Sequence, residues 1–291
     1  MKHRLNKKVA IITGANQGFG LALAQEYIEQ GASIAICARD GSLLEKVQIQ
    51  LTKRIGEDQK ILALSTDVSN PDEVHAFVDQ VIKKLGKIDI LVNNAGVYGP
   101  MGVIEDVEWE KWVQAIEINL FGSILMCRAV LPHFKAQRAG KIIQLSGGGA
   151  TNPMPCISAY AVSKAGIVRF VETLAEEVKA FGIDVNAIAP GALNTRLLEE
   201  VLQAGPEKVG DGFHQKSLQQ KESGGVSLEI GVSLAVFLGS SASDGVTGKL
   251  ISALWDNWHD WPNYLEALDK SDVYTLRRIT GRDRGMDWGD K

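Results

Sequence analysis

Tyr160-Ala161-Val162-Ser163-Lys164 sets a phenol and an ammonium four residues apart. On a helix, that spacing puts both side chains on one face, one turn apart. A free tyrosine titrates at about 10. A neighbouring ammonium stabilises the phenolate and lowers that value. The pair is then suited to moving a proton to or from a carbonyl or alcohol oxygen. The pattern is short enough to arise by chance, so its meaning depends on the elements that hold it.

A second chemical feature stands near the N-terminus. The run Thr13-Gly14-Ala15-Asn16-Gln17-Gly18-Phe19-Gly20 follows an apolar strand segment and precedes a helical pattern. Glycines let the backbone turn sharply and approach a phosphate. The helix start then offers free N–H groups and a positive dipole end to a pyrophosphate. A purely structural tight turn is the alternative, but the strand–turn–helix context favours dinucleotide binding.

The remaining pattern supplies a frame for both. Strand segments are expected at Val9–Thr13, Ser33–Ala38, Ile61–Thr66, Ile88–Asn93, Lys141–Ser146, Asp184–Ala189 and Lys249–Ala253. Helices are expected around 18–30, 42–55, 71–85, 108–135, 158–181 and 227–238. The strands are continuous apolar runs, as in a parallel sheet covered on both faces. The alternation predicts an α/β fold: one doubly wound Rossmann-type domain with a parallel seven-stranded sheet over residues 1–254, followed by a C-terminal extension, 255–291. The polar, glycine-bearing stretch 197–227 reads as a candidate mobile lid. The extension holds four of the six tryptophans, so packing on the domain or on a neighbouring subunit is expected.

Composition narrows the function classes. A net charge of −4 without a dominant basic patch gives no case for nucleic acid. No continuous apolar run is long enough to predict a membrane span, and the short apolar start does not read as a secretory signal, so a cytoplasmic location is expected. Three dispersed cysteines, Cys37, Cys127 and Cys156, argue against a disulfide framework, and no metal-ligand spacing is present.

Together the glycine spacing, Asn93-Asn94-Ala95-Gly96 and the Tyr160/Lys164 pair resemble the short-chain dehydrogenase/reductase family, in its roughly 250-residue branch. The resemblance covers about residues 7–254. It implies an NAD(P)-dependent oxidoreductase that transfers hydride between a nicotinamide and a carbonyl or secondary alcohol. It assigns Gly14, Asn16, Gln17, Gly18, Phe19 and Gly20 to the pyrophosphate turn. Asp67 and the Val68 backbone fall to the adenine, and Asn94, Ala95 and Gly96 to the cofactor wall. Pro190, Gly191, Leu193 and Thr195 fall to the nicotinamide. Tyr160 becomes the general acid/base. Lys164 tunes it and holds the nicotinamide ribose, and Asn119 bends its helix and holds a relay water. Homodimers or homotetramers packing the long helices are common in the family.

Two positions depart from the pattern. The acidic residue that selects NAD falls on Ala38, and Arg39 follows, which points to NADP(H). Asp40 is adjacent, so a one-residue shift of the strand end would leave NAD(H) open. The family's substrate-orienting serine stands 13 residues before the tyrosine, which is Gly147 here; Ser146 stands 14 before. A bulge through the glycines would bring Ser146 to the site. Otherwise Thr151, Ser158 or a water takes the role. Ser146 is the residue expected to do so, and its offset leaves a second class open: a dinucleotide-binding regulator or scaffold without turnover.

Overall fold

The structure, a computed structural model, describes residues 3–288. Seven strands form one parallel sheet: β1 Val9–Thr13, β2 Ser33–Ala38, β3 Ile61–Ser65, β4 Ile90–Asn93, β5 Gly140–Leu145, β6 Ile183–Ala189 and β7 Leu250–Ser252. Their spatial order is β3-β2-β1-β4-β5-β6-β7. The order reverses at β1, so a crevice opens between the C-terminal ends of β1 and β4. Every residue of β1 and β4 is buried. That burial explains why these strands are apolar throughout and do not alternate.

Helices cover both faces. On one side α1 (Gly18–Glu29), α2 (Gly41–Thr52) and α10 (Leu228–Gly239) pack Leu23, Tyr27, Leu44, Leu234 and Phe237 into a single core. On the other, α3 (Pro71–Leu85), α5 (Gly122–Gln137) and α6 (Ser158–Val178) contribute Phe77, Phe134, Val168 and Val171. The long helix expected over 108–135 is interrupted. It runs as α4 (Trp109–Ile116), a π-helical turn at Glu117–Phe121, and then α5. A π turn inserts an extra residue into the helical ladder. Here it carries Asn119 inward to full burial. Among the described residues, Trp109–Gln137 is the one unbroken helical run long and apolar enough to cross a membrane; 56% of its apolar window is buried inside the domain.

The stretch expected as a candidate lid is largely helical. It folds into α7 (Arg196–Ala204), α8 (Pro206–Val209) and α9 (Asp211–Ser223). Leu198, Val201, Val209 and Ser217 are the buried positions. Gly205, Gly210 and Gly224 lie between and after these helices with positive φ.

The C-terminal extension packs on its own domain. Trp258 lies 5.2 Å from Phe237 of α10, and its indole N–H donates to the Ala253 carbonyl at 3.2 Å. Trp261 is buried beside Tyr274. The Lys249 ammonium donates to the carbonyls of Ser271 and Val273 at 3.2 and 3.1 Å. The Leu250 N–H donates to the Tyr274 carbonyl at 2.8 Å, which closes the free edge of β7. Trp255 and Trp288 remain 83% and 72% exposed. Trp258→Ala should therefore destabilise the protein by about 3–5 kcal/mol, and Trp255→Ala by roughly 0.5 kcal/mol or less. Urea unfolding of the two variants beside the wild type reads the difference.

Candidate active site

The glycine turn is braced from β4. The Thr13 hydroxyl accepts the N–H groups of Asn94 and Ala95, both at 3.0 Å. The Asn94 amide donates back to the carbonyls of Thr13 and Gly14 at 2.9 and 3.0 Å. Asn94 thus supports the turn, and its amide is engaged there. Gly14 has φ 62, and a Cβ on Gly20 would fall 2.3 Å from the Gly14 carbonyl oxygen, so neither tolerates a side chain. Gln17 precedes α1 in extended conformation without a side-chain cap, which leaves the first helical N–H groups facing the cleft.

Asp40 lies two residues past the end of β2. The strand stops at Ala38, and Asp40 caps α2, its carboxylate accepting the Leu43 N–H at 3.0 Å. Arg39 is exposed at the same cleft. Beyond β3, one Asp67 oxygen accepts from the N–H and hydroxyl of Ser69 at 2.9 and 2.6 Å. The turn carrying Asp67 and Val68 is fixed against the same opening.

The residues expected to transfer protons gather where β4, β5 and α6 meet. Lys164 is buried, and its ammonium donates to the Leu145 carbonyl at the end of β5, 2.7 Å away. An ammonium has three donors, and this is the only hydrogen bond Lys164 makes through its side chain among the described residues. Asn119 lies behind it. Its carbonyl oxygen accepts the Val97 N–H at 2.8 Å. Its amide donates to the Val97 carbonyl at 2.8 Å and to the Ser163 hydroxyl at 3.0 Å. The π turn, the segment after β4 and α6 are thereby locked together.

Burial pushes the Lys164 ammonium down to about 8. Burial also holds the Tyr160 phenol above its ordinary value, with Tyr98 adding to the effect. The lowering anticipated from the neighbouring ammonium is outweighed. The ammonium lies 5.5 Å from the Tyr160 ring centre and is directed to Leu145, so loss of hydration dominates.

Gly147, not Ser146, meets the phenol. A Cβ on Gly147 would lie 2.5 Å from the Tyr160 hydroxyl oxygen. Gly147 is extended, so Ser146 projects to the other side. The Ser146 hydroxyl is buried without a hydrogen-bond partner. No bulge turns it back toward Tyr160. Of the other hydroxyls considered, Ser158 accepts the Trp112 indole N–H at 3.0 Å, and Thr151 accepts from Asn152 at 3.1 Å.

Apart from Asn119, every residue assigned from the resemblance lines one cleft of about 1010 Å³. On its far wall, the carbonyls of Ala192 and Leu193 are held by the Val226 N–H and the Gln220 amide at 2.9 and 3.1 Å. Thr195 sits over Gly18, its methyl 3.6 Å from where a Cβ would be. Sequence reasoning missed Tyr98, Met154, Phe213 and Trp255, which line the same cleft. Tyr98 packs edge-on against Tyr160 at 4.7 Å. Nothing in local spacing marks these positions, since they reach the cleft only through tertiary packing.

Residues 8–205 match the short chain dehydrogenase family. The chain belongs to the short-chain dehydrogenase/reductase family. Its members are NAD(P)-dependent oxidoreductases of alcohols and carbonyls. The chain is 34% identical over 65% of its length to 11-beta-hydroxysteroid dehydrogenase-like 3 of Arabidopsis thaliana, and the match spans 60% of that protein. It superposes on NAD+-bound xylitol dehydrogenase with a TM-score of 0.77, 29% identity, and 85% and 98% of the two chains covered. For gluconate 5-dehydrogenase from Burkholderia cenocepacia in complex with NADP and tartrate, the values are 0.75, 28%, 86% and 95%.

A dinucleotide fits the residues present. The glycine cradle has no room for side chains, the α1 N–H groups are free, and the buried Lys164 ammonium has donors unused. That ammonium also sets a pH dependence. Below pH of about 8 the folded and unfolded chains both carry the proton, and between about 8 and 10 only the unfolded chain does. The unfolded state then binds more protons, so this group's contribution to stability rises with pH across that window. Lys164→Met cannot titrate. The urea stability of the wild type relative to this variant should therefore improve from pH 8 to pH 10, and a flat difference would contradict the burial argument.

Proposed function

We propose that this chain oxidises a secondary alcohol or reduces the corresponding carbonyl, with Tyr160 as general acid/base and NADP(H) as the preferred dinucleotide. The observation that carries the reading is the convergence of Tyr160, the buried Lys164 ammonium and the braced glycine turn on one cleft. When bound, the dinucleotide supplies the hydride acceptor or donor. In oxidation Tyr160 takes the hydroxyl proton of the substrate, and in reduction it returns one to the developing alkoxide. Lys164 sits one helical turn away and favours the phenolate once its ammonium is held near the ring. Asn119 ties the segment after β4 to α6, and its bond to Ser163 orients the first turns of α6.

The preference for NADP(H) rests on three neighbours. Ala38 offers no acceptor to a ribose hydroxyl, Arg39 presents its guanidinium at the cleft, and Asp40 is engaged as a helix cap. Exposed Trp109, Phe121 and Val162 form apolar surface on α4, the π turn and α6, which supports assembly into a homodimer or homotetramer through these helices. A regulator that binds the dinucleotide without turnover is the second reading, and Gly147 beside Tyr160 is the observation that favours it.

Tyr160→Phe should lose turnover while cofactor binding persists. Absorbance of the reduced nicotinamide with a panel of ketones and alcohols measures the first, and quenching of protein fluorescence measures the second. Full activity in the variant would sink the assignment. Arg39→Ala removes a charge-assisted contact, so it should weaken NADP(H) by about 10–100-fold and leave NAD(H) nearly unchanged. Equal weakening of both would remove the case for a phosphate at Arg39.

A further inference from the structure

Gly147 has φ −178 and ψ 176, an extended conformation open to any residue. Its backbone does not call for glycine, but its surroundings do, because a Cβ would meet the Tyr160 hydroxyl at 2.5 Å. The one strand-end position that faces the phenol carries only hydrogen. Gly148 follows it along the cleft, and nothing lies within 4 Å of where its Cβ would be. The end of β5 supplies no hydroxyl in its place: the Ser146 hydroxyl is buried, and Ser163, on α6, donates to the Tyr160 carbonyl at 2.7 Å.

The reacting oxygen of a substrate therefore meets Tyr160 without a side-chain donor from the strand-end position beside it. Removing a donor from an oxyanion typically costs about 10²–10³ in kcat. A hydroxyl on the adjacent carbon of the substrate replaces that donor from within the molecule. The open space beside Gly148 gives this hydroxyl room. We propose that the site selects vicinal diols and α-hydroxyketones over isolated alcohols and ketones, and that Gly147 is the residue that sets this choice. The proposal rests on the proton-transfer role of Tyr160 and goes beyond it by naming the substrate class.

Matched pairs test it: acetoin against butanone with NADPH, and propylene glycol against sec-butanol with NADP, for wild type, Gly147→Ser and Gly147→Ala. The wild type should favour the hydroxylated member by about 10²-fold in kcat/KM, mostly through kcat. Gly147→Ser adds a donor once the end of the Tyr160 side chain shifts to admit its Cβ, so it should raise turnover of the isolated member and bring the ratio toward one. Gly147→Ala demands the same shift without adding a donor, so it should lower turnover of the hydroxylated member and not raise the other. A wild-type ratio near one overturns the proposal, as does a ratio that neither variant changes. If the variants do not fold, the wild-type ratio decides alone. Tyr160→Phe, run in parallel, separates the two levels. Equal rates on both members with Tyr160→Phe inactive overturn only the substrate class, whereas full activity of Tyr160→Phe, or no turnover of any compound by wild type, overturns the underlying reading and this proposal with it.

Discussion

A buried ammonium tied to one strand-end carbonyl constrains the centre of this molecule. Lys164 lies almost out of solvent and is held to Leu145 at 2.7 Å. Taking an ammonium out of water is costly unless it finds partners. The single bond anchors the first turns of α6 to the end of β5 and so fixes Tyr160, one turn back, at the mouth of the cleft. It also leaves two donors unused inside the protein. Burial without full pairing pulls the ammonium toward neutrality and holds the phenol protonated. A ligand that brings hydroxyl oxygens to the unused donors would relieve that imbalance.

Side-chain amides do the rest of the positioning. Asn94 and Thr13 join the glycine turn to β4 through four hydrogen bonds, at the point where the sheet order reverses. Asn119 joins the next segment of the same crossing to α6. Its inward placement depends on the π turn, which an uninterrupted helix would not give. The chemistry thus sits on strand ends and helix starts braced against one another, and the helices α7 and α9 form the opposite wall.

Strands were legible in the sequence because burial on both faces demands unbroken apolar runs, and β1, β2 and β6 fall within a residue of where those runs predict. The glycine turn and the Tyr160/Lys164 spacing were legible because phosphate approach and helical geometry restrict residue type directly. Other features depend on contacts between distant segments. The helices within 197–227 are hard to read because α9 buries only Ser217, and only Leu198 and Val201 mark the helical period of α7. The π turn at Asn119 leaves no periodic trace over five residues. Ser146 was one residue from the pattern, and which side of an extended strand faces Tyr160 follows from the packing of α6 against β5. The same packing makes the ammonium's local effect on the phenol subordinate to burial.

The central claim is that Lys164 governs the proton affinity of Tyr160 during turnover. The pH dependence of kcat/KM for alcohol oxidation, in wild type and Lys164→Met, tests it most directly. The wild type should gain activity with pH through an ionisation below about 10, the ordinary tyrosine value. In Lys164→Met that limb should move upward by about one unit or more, with the rate reduced throughout. A limb at the same pH in both proteins would contradict the account.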